Sequence, residues 1–576
     1  MTTYERDATT LELPWPFAGR EDELELVRRA LTGTRRGIVV TGPAGCGKTR
    51  LVTEAVRGTD CARAAGTPES RRIPFAAFAH LLPEDVTLHR AVQLLSGVRT
   101  LVVDDAQLLD DASAALVHQL AVHGRTRLLV VATDGTPVPG AVSRLWTGEL
   151  LPRLPLEPLP REETARLLTA GAGPLDPLTA DRLRRLSQGD LRLLRDLLGA
   201  VRGVLTAVED NGERAWRGPV PLTPAVRDHA APVLGRGCPR ERETLDRLAF
   251  AEPLPLDPDT LDLAALETLE ADGLVRVDDC GAVRLGRPLY GPALRAAAGR
   301  LRARRLSRSA EAYAAALDAE RAALVRRIER DDVRVTPTPV GEWLVAEGRP
   351  LPGGYAAVRA RFARLRGEVR QAAAWAREGL RADPGDVACR DELARARAAV
   401  DSGGEAGTAV SALTDPYDAV RLGAPGQAAG RLRGVFARHA AALARADGPA
   451  LDEVAGELER RGFTLFAAEA HAQAVSAHRD PRAARHSRTR AVALARRCEG
   501  ARTPALSGLV LGELTARQRQ IVTLAAAGLS NRQIAERLTL SVRTVGNHLY
   551  SAYARLGAGD RGALPSLTRE REAQPA

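Results

Sequence analysis

The stretch that most restricts how this chain folds is Gly37 to Val56, GIVVTGPAGCGKTRLVTEAV. An apolar run enters G-x-x-x-x-G-K-[ST] at Gly42 to Thr49, and Leu51, Val52, Ala55 and Val56 follow at helical spacing. The order predicts strand, glycine loop, helix. Glycines let backbone N–H groups curl around an anion, and the helix N-terminus adds the positive end of its dipole. Lys48 is the only lysine; every other member of the 82 Lys and Arg is arginine. A compact ammonium on a slim stem threads between loop and phosphates where a planar guanidinium would collide, which explains the exception. Gly42, Pro43, Ala44, Gly45, Cys46, Gly47, Lys48, Thr49 and Arg50 are therefore expected to bind phosphate, with the Thr49 hydroxyl on Mg²⁺.

At roughly 100 to 200 residues per domain, 576 residues allow about three to five domains. With 45% hydrophobic and 27% charged residues the composition is that of a soluble globular protein. The N-terminus has no basic segment followed by an apolar one, and no stretch approaches the roughly 18 apolar residues of a membrane span. A cytoplasmic location without membrane partners is expected. Six cysteines stand singly, outside any C-x-x-C or metal-ligand spacing. A net charge of +10 allows a polyanionic partner, and only 3% aromatics argue against base-stacking on single strands.

A second element follows the loop. Thr100 to Asp111, TLVVDDAQLLDD, reads as a buried strand ending in two carboxylates, with Asp104 the candidate metal ligand and Asp105 the candidate water-orienting base. Arg127 to Gly135, RLLVVATDG, is another buried strand, ending in Thr133, a candidate γ-phosphate sensor or a plain strand terminus. The cofactors expected are ATP and Mg²⁺. Asp105 is one methylene shorter than glutamate, and misplacing a water by about 1 Å can cost 10²-fold, so at most slow ATP hydrolysis is expected. Cys46 reads as a small space-filler, a sulfenic-acid sensor being the alternative.

The segments FAGREDELELVRRAL (Phe17 to Leu31), GPAGCGKT, LVVDDAQLLD, LLVVATDG and LEPLPREETARLL resemble, in this order, the AAA+/STAND signalling NTPases, and more narrowly the large ATP-binding regulators of the LuxR family. The resemblance implies that Gly19, Arg20 and Glu21 lie at the nucleotide rim. This sequence departs from the family pattern in three places. AQLL replaces an aromatic-containing segment after the aspartates, Asp134 replaces an arginine after the sensor strand, and QGDL (Gln188 to Leu191) replaces Gly-Asn-Pro.

From about 206 to 300, a helix ending in ADGL and the runs VRV and AVRL read as a winged-helix-like module. Where the family often has His-Pro-Leu, this chain has Arg287-Pro288-Leu289, and Arg287 is read as solvent-facing. From 301 to 505, helical periodicity broken by Pro/Gly turns suggests degenerate tetratricopeptide-like repeats, either a surface for an inducer or partner protein or an inert spacer.

The last expectation falls on Leu514 to Leu564. Thr515 with Gln518 and Ser530 with Gln533 form S/T-x-x-Q capping boxes fifteen residues apart, and Ser541 starts a third helix. In that helix Val542, Val545, Leu549, Ala552 and Leu556 form a core stripe, leaving Arg543, Thr544, Gly546, Asn547 and Tyr550 outward and His548 at the flank. Seven arginines face only Glu536 and Asp560 here. Arg532, Ser541, Arg543, Thr544, Gly546, Asn547, His548 and Tyr550 are the candidate contacts to double-stranded DNA. The segment resembles the LuxR/FixJ-type helix-turn-helix along its length, with Gly546 where many members carry Lys or Glu.

The fold expected is multidomain and mostly α: an α/β P-loop NTPase domain at 1–205, a winged-helix-like module at 206–300, helical repeats at 301–505 and a LuxR-type helix-turn-helix at 510–566. The function expected is an ATP-dependent transcriptional regulator, binding promoter DNA as a homodimer or higher oligomer, with RNA polymerase a further partner. The alternatives are an ATPase merely localised to DNA by its tail, or a nucleotide-loaded scaffold without switching.

Overall fold

Alternation of apolar side chains at period two dictates the N-terminal layers. In the computed structural model, Ile38, Val40, Leu129 and Val131 pack on one side of a sheet with Val27, Leu51 and Val52, while Val39, Leu128 and Val130 pack on the other with Leu116, Leu120 and Leu145. The structure describes residues 15 to 552 with gaps, the longer being 33–35, 209–211, 258–260, 307–309, 401–415 and 510–515. Beyond 538 it describes Val542, Val545, Gly546, His548, Leu549 and Ala552. Two compact units divide the chain, Met1–Ser307 and Arg308–Pro575.

The first unit begins with α1 (Glu21–Thr32), β1 (Gly37–Gly42), α2 (Lys48–Ala55), β2 (Ala62–Ala65), α3 (Leu88–Leu95), β3 (Thr100–Asp104), α4 (Asp111–His123), β4 (Arg127–Thr133), α5 (Gly140–Thr147) and β5 (Arg153–Pro155). All five strands are parallel, in the order β2-β3-β4-β1-β5. β4 lies between β1 and β3, so the carboxyl ends of these three strands, where open α/β sheets bind ligands, stand side by side. β4 pairs with β1 as far as Gly42↔Thr133 but with β3 only as far as Val103↔Val130. The chain leaves β3 at Asp105, a non-glycine residue at φ 47.

Three helices follow, α6 (Arg161–Ala172), α7 (Pro177–Ser187) and α8 (Leu191–Val201), then a short antiparallel pair, β6 (Thr206–Ala207) and β7 (Arg214–Ala215). The winged-helix-like part comprises α9 (Pro224–His229), α10 (Ala231–Leu234), α11 (Pro239–Ala251), β8 (Leu254–Pro255), α12 (Leu263–Ala271), β9 (Val275–Val277), β10 (Ala282–Leu285), α13 (Tyr290–Ala297) and α14 (Arg300–Leu306). Its sheet has the order β8-β10-β9. One core joins Leu168, Leu183, Leu193 and Leu197 of α6 to α8 with Leu245, Leu269, Val283 and Leu294, so it crosses residue 205 without a break.

The second unit opens with α15 (Ala310–Glu329), α16 (Pro339–Ala346), α17 (Gly353–Leu365), α18 (Val369–Ala382) and α19 (Val387–Ala398). It continues with α20 (Pro416–Arg421), α21 (Gly434–Ala444), α22 (Gly448–Arg460), α23 (Thr464–Ala477) and α24 (Pro481–Arg496). Consecutive helices α17 to α19 and α21 to α24 pack as neighbours. α19 starts 34 residues after α17, and α24 starts 33 after α22. That is the spacing of tetratricopeptide helix pairs. Gly462 makes the turn between α22 and α23 at φ +90, where a Cβ would stand 2.7 Å from the Arg334 nitrogen.

Last come α25 (Ala516–Ala526) and α26 (Asn531–Leu538). Ile521, Val522, Leu524, Ile534 and Ala535 form a small core with Val545, Leu549 and Ala552. Among the described residues, no helix is long and apolar enough to cross a membrane.

Candidate nucleotide site and nucleic-acid interface

Backbone conformation shapes the loop between β1 and α2. Gly45 and Gly47 sit at φ +73 and +96, which L side chains adopt at a cost. A Cβ on Gly45 would meet Asp190 Oδ1 at 2.0 Å. Asp190 caps α8, accepting from the N–H groups of Arg192 and Leu193 at 3.0 Å, and the Leu191 N–H donates to the Gly45 carbonyl at 2.9 Å. The QGDL segment thus lies against the loop, and the N-terminus of α8 is tied to it. Cys46 is buried, and burial pushes its thiol above the ordinary value, as befits a filler rather than a reactive thiolate.

Lys48 is buried, and its Nζ donates to the carbonyls of Gly42 at 2.9 Å and Pro43 at 2.6 Å. Phosphate oxygens seated in the loop would offer this ammonium charge-assisted bonds, roughly twice as strong as bonds between neutral groups. The Thr49 Oγ1 donates to Asp104 Oδ1 at 3.3 Å, bringing together the two residues expected to hold a cation. Burial raises the Asp104 carboxyl above its ordinary value, and the bond from Thr49 opposes that rise. One carboxylate and one hydroxyl, both hard oxygen donors beside a phosphate loop, fit Mg²⁺, which takes few protein ligands and completes its shell with phosphates and water. Bound there, it would neutralise charge on β- and γ-phosphate oxygens.

Arg20 is buried behind the loop, where its Nη2 donates to the carbonyls of Cys46, at 3.4 Å, and Glu157, and its Nη1 pairs with Glu23. It therefore braces the loop backbone to the segment after β5. Gly19, at φ +72, packs against Glu163 of α6, where a Cβ would come within 2.9 Å of Cγ. Arg50 is exposed and pairs with Glu54 on its own helix. The Asp134 carboxylate accepts from Arg153 of β5 at 3.2 Å, so a cation reaches across β1 to the arginine position that Asp134 replaces. Arg287 is solvent-exposed.

Sequence reasoning missed Gln107. It is buried at 5% exposure, two residues past the paired carboxylates, and its amide links the two candidate catalytic residues. Nε2 donates to Asp105 Oδ1 at 2.9 Å, and Oε1 accepts the Thr133 N–H at 2.9 Å. The signal was a polar side chain inside the apolar run AQLL.

In the C-terminal bundle, the Ser530 N–H donates to Gln533 Oε1 at 2.8 Å and the Gln533 N–H to Ser530 Oγ at 3.3 Å, the reciprocal bonds of a capping box. Arg532, in the first turn of α26, is exposed. Gly546 and His548 are half-buried beside the buried Val545 and Leu549. Ser541, Arg543, Thr544, Asn547 and Tyr550 lie outside the described residues, as do Thr515 and Leu556. Val542 corrects the expected core stripe: it is 51% exposed, because a residue in the first turn of this helix projects past the end of the small core that Val545 begins.

Comparison with known proteins places a family on each end. Residues 512–567 match the family described as bacterial regulatory proteins, luxR family, and residues 16–97 match the AAA ATPase domain. A Mycobacterium bovis protein named as an HTH-type transcriptional regulator, Mb0914c, is 45% identical over 74 residues, 13% of this chain and 8% of the relative. The Escherichia coli regulator YhjB is 49% identical over 51 residues, 9% of this chain and 26% of the relative. The chain therefore spans only a small part of the length of the curated relatives it matches. Among solved structures, a Walker-type ATPase of Pyrococcus abyssi is similar at 12% identity over 48% of this chain and 95% of that one, with a TM-score of 0.32. A STAND protein with a tetratricopeptide repeat sensor, from Pyrococcus horikoshii, is similar at 13% identity over 97% and 84%, with a TM-score of 0.25. The chain thus joins an N-terminal domain of AAA ATPase type to a C-terminal DNA-binding domain of luxR type.

Proposed function

We propose that this chain is an ATP-dependent transcriptional regulator in which the nucleotide held by the N-terminal loop sets how firmly the C-terminal bundle grips promoter DNA. The observation that carries the reading is the meeting of Lys48, Thr49 and Asp104 at the carboxyl ends of β1 and β3, in a chain that also carries a luxR-type DNA-binding domain. Gly42 to Arg50 hold ATP, Thr49 and Asp104 hold Mg²⁺, and Gly19 and Arg20 support the nucleotide rim. Asp105 orients water and Thr133 reads the γ-phosphate in a slow hydrolysis that times the switch.

Coupling starts at the bond from Leu191 to Gly45, since a shift of the loop on binding phosphate pulls on the start of α8. The shared core of α6 to α13 carries that pull onward as a packed unit. At the DNA, Arg532, Arg543, Thr544 and His548 contact phosphates, Ser541 starts the reading helix, slim Gly546 allows close approach, and Asn547 and Tyr550 reach base edges. The protein works in the cytoplasm as a dimer on two half-sites about one helical turn apart, with an inducer or partner protein on the 301–505 helices and RNA polymerase beside it.

Lys48→Ala tests the nucleotide half. ATP affinity measured by titration calorimetry should fall at least about 100-fold, while basal DNA binding persists, because loss of a phosphate-bound ammonium removes several charge-assisted bonds. Unchanged ATP affinity would remove the basis of the proposal.

A further inference from the structure

Where β4 outlasts β3, its edge must find a hydrogen-bond partner. β3 pairs with β4 as far as Val103↔Val130, and at Asp105 the chain turns away through a left-handed conformation. The N–H of Thr133, three residues further along β4, is met by a side chain, the Oε1 of Gln107. The other end of that same amide donates to Oδ1 of Asp105. A glutamine offers both an acceptor and a donor on one rigid plane, so the carboxylate and the strand end are fixed relative to each other through a single group. Gln107 is buried with Ala106 and Leu109 around it in sequence, which restricts its rotamers further.

We propose that Gln107 is a positioning residue for ATP hydrolysis: it holds Asp105 with one carboxylate oxygen occupied and the other turned to the attacking water, in fixed register with the end of β4. This rests on the reading of the loop as an ATP site. In the step concerned, a water oxygen forms a bond to the γ-phosphorus. The bond from that phosphorus to the β,γ-bridging oxygen breaks with its electron pair left on ADP, and the proton lost by the water ends on the product phosphate. Asp105 orients the water, and Gln107 orients Asp105. A short carboxylate reaches the water along few directions, so a fixed rotamer matters more for aspartate than for a longer acid. Because the same amide holds Thr133, a displacement of β4 at the γ-phosphate is passed to the water-orienting group. That makes turnover responsive to the occupant of the loop.

The test compares the full-length parent with Gln107→Glu and Gln107→Met in single-turnover hydrolysis of radiolabelled ATP with Mg²⁺, alongside ATP Kd and thermal melting. Gln107→Glu keeps an acceptor for the Thr133 N–H, nearly the same volume and thus the local packing, but loses the donor to Asp105. The expected result is a hydrolysis rate lowered about tenfold to 100-fold with ATP Kd within about twofold of the parent, and a similar rate loss in Gln107→Met. A Gln107→Glu rate within about twofold of the parent overturns the proposal. So does a loss of rate that merely tracks a loss of ATP affinity and melting temperature, since a purely structural amide would act that way. A parent that binds ATP but never hydrolyses it also overturns this inference and leaves the nucleotide switch standing. A parent that fails to bind ATP overturns both.

Discussion

Gly45 shows how closely single residues in the loop are specified. Its positive φ and the carboxylate of Asp190 leave no room for a methyl group, so Gly45→Ala must move either the loop or the start of α8. The backbone strain alone is of order 1 kcal/mol, and displacing Asp190 weakens a helix cap worth about 1 kcal/mol more. Gly45→Ala should therefore lower the melting temperature of the first unit by several degrees and weaken ATP binding at least about tenfold with Lys48 intact, as read by calorimetry. Gly47→Ala separates the two effects, because at φ +96 it carries the backbone strain while its Cβ would meet only a leucine methyl at 3.4 Å. Lys48 itself was legible in the sequence because every other cationic side chain of the Lys/Arg pair is arginine. Gln107 stood out only as a polar residue in AQLL, and its role was not legible, since that depends on the β3 pairing stopping three residues before β4 ends, a register that no local pattern encodes.

Among the elements, α20, α21 and α23 enclose a buried polar chain. Gln473 donates its amide N–H to the carbonyls of Val420 and Arg421, so its oxygen faces His439 Nε2 at 2.8 Å, and Tyr417 meets His439 Nδ1 at 2.7 Å. The imidazole is thus held neutral as a donor at Nε2 and an acceptor at Nδ1. Burial lowers its pKa from 6.5 to about 4. A histidine depressed in the folded state contributes stability above its unfolded pKa and loses it as pH falls, because the unfolded chain takes up the proton first. Between about pH 6.5 and pH 4 these helices should lose up to roughly 3 kcal/mol, about 2 of it by pH 5. Hydrogen exchange corrected for intrinsic rates should show that loss in α21 and α23, and His439→Gln should flatten the pH dependence while lowering stability at pH 7.5. The helix pairs were legible as periodicity broken at Pro and Gly, and the runs VRV and AVRL coincide with β9 and β10. The buried polar chain was not, because its members lie 22 and 34 residues apart and meet only after the helices stack. Val542 misled for a related reason: helical spacing assigns a stripe but not where the core beneath it stops.

At the scale of the whole molecule, the two ends carry the chemistry, and the proposal makes the helices between them its means of transmission. Coupling of this kind is a free-energy difference between states, typically 1–3 kcal/mol, or about 5-fold to 150-fold in affinity, and it must act in both directions. The most direct measurement is DNA binding by the full-length protein on the region upstream of its own coding sequence, at one fixed salt concentration, with ATP, ADP and no nucleotide. The account predicts at least about a fivefold difference in affinity between ATP and ADP, with Lys48→Ala fixed at the nucleotide-free value in all three conditions. The same affinity in all three conditions for the unmutated chain, in the presence of cell extract that supplies the inducer, would contradict it.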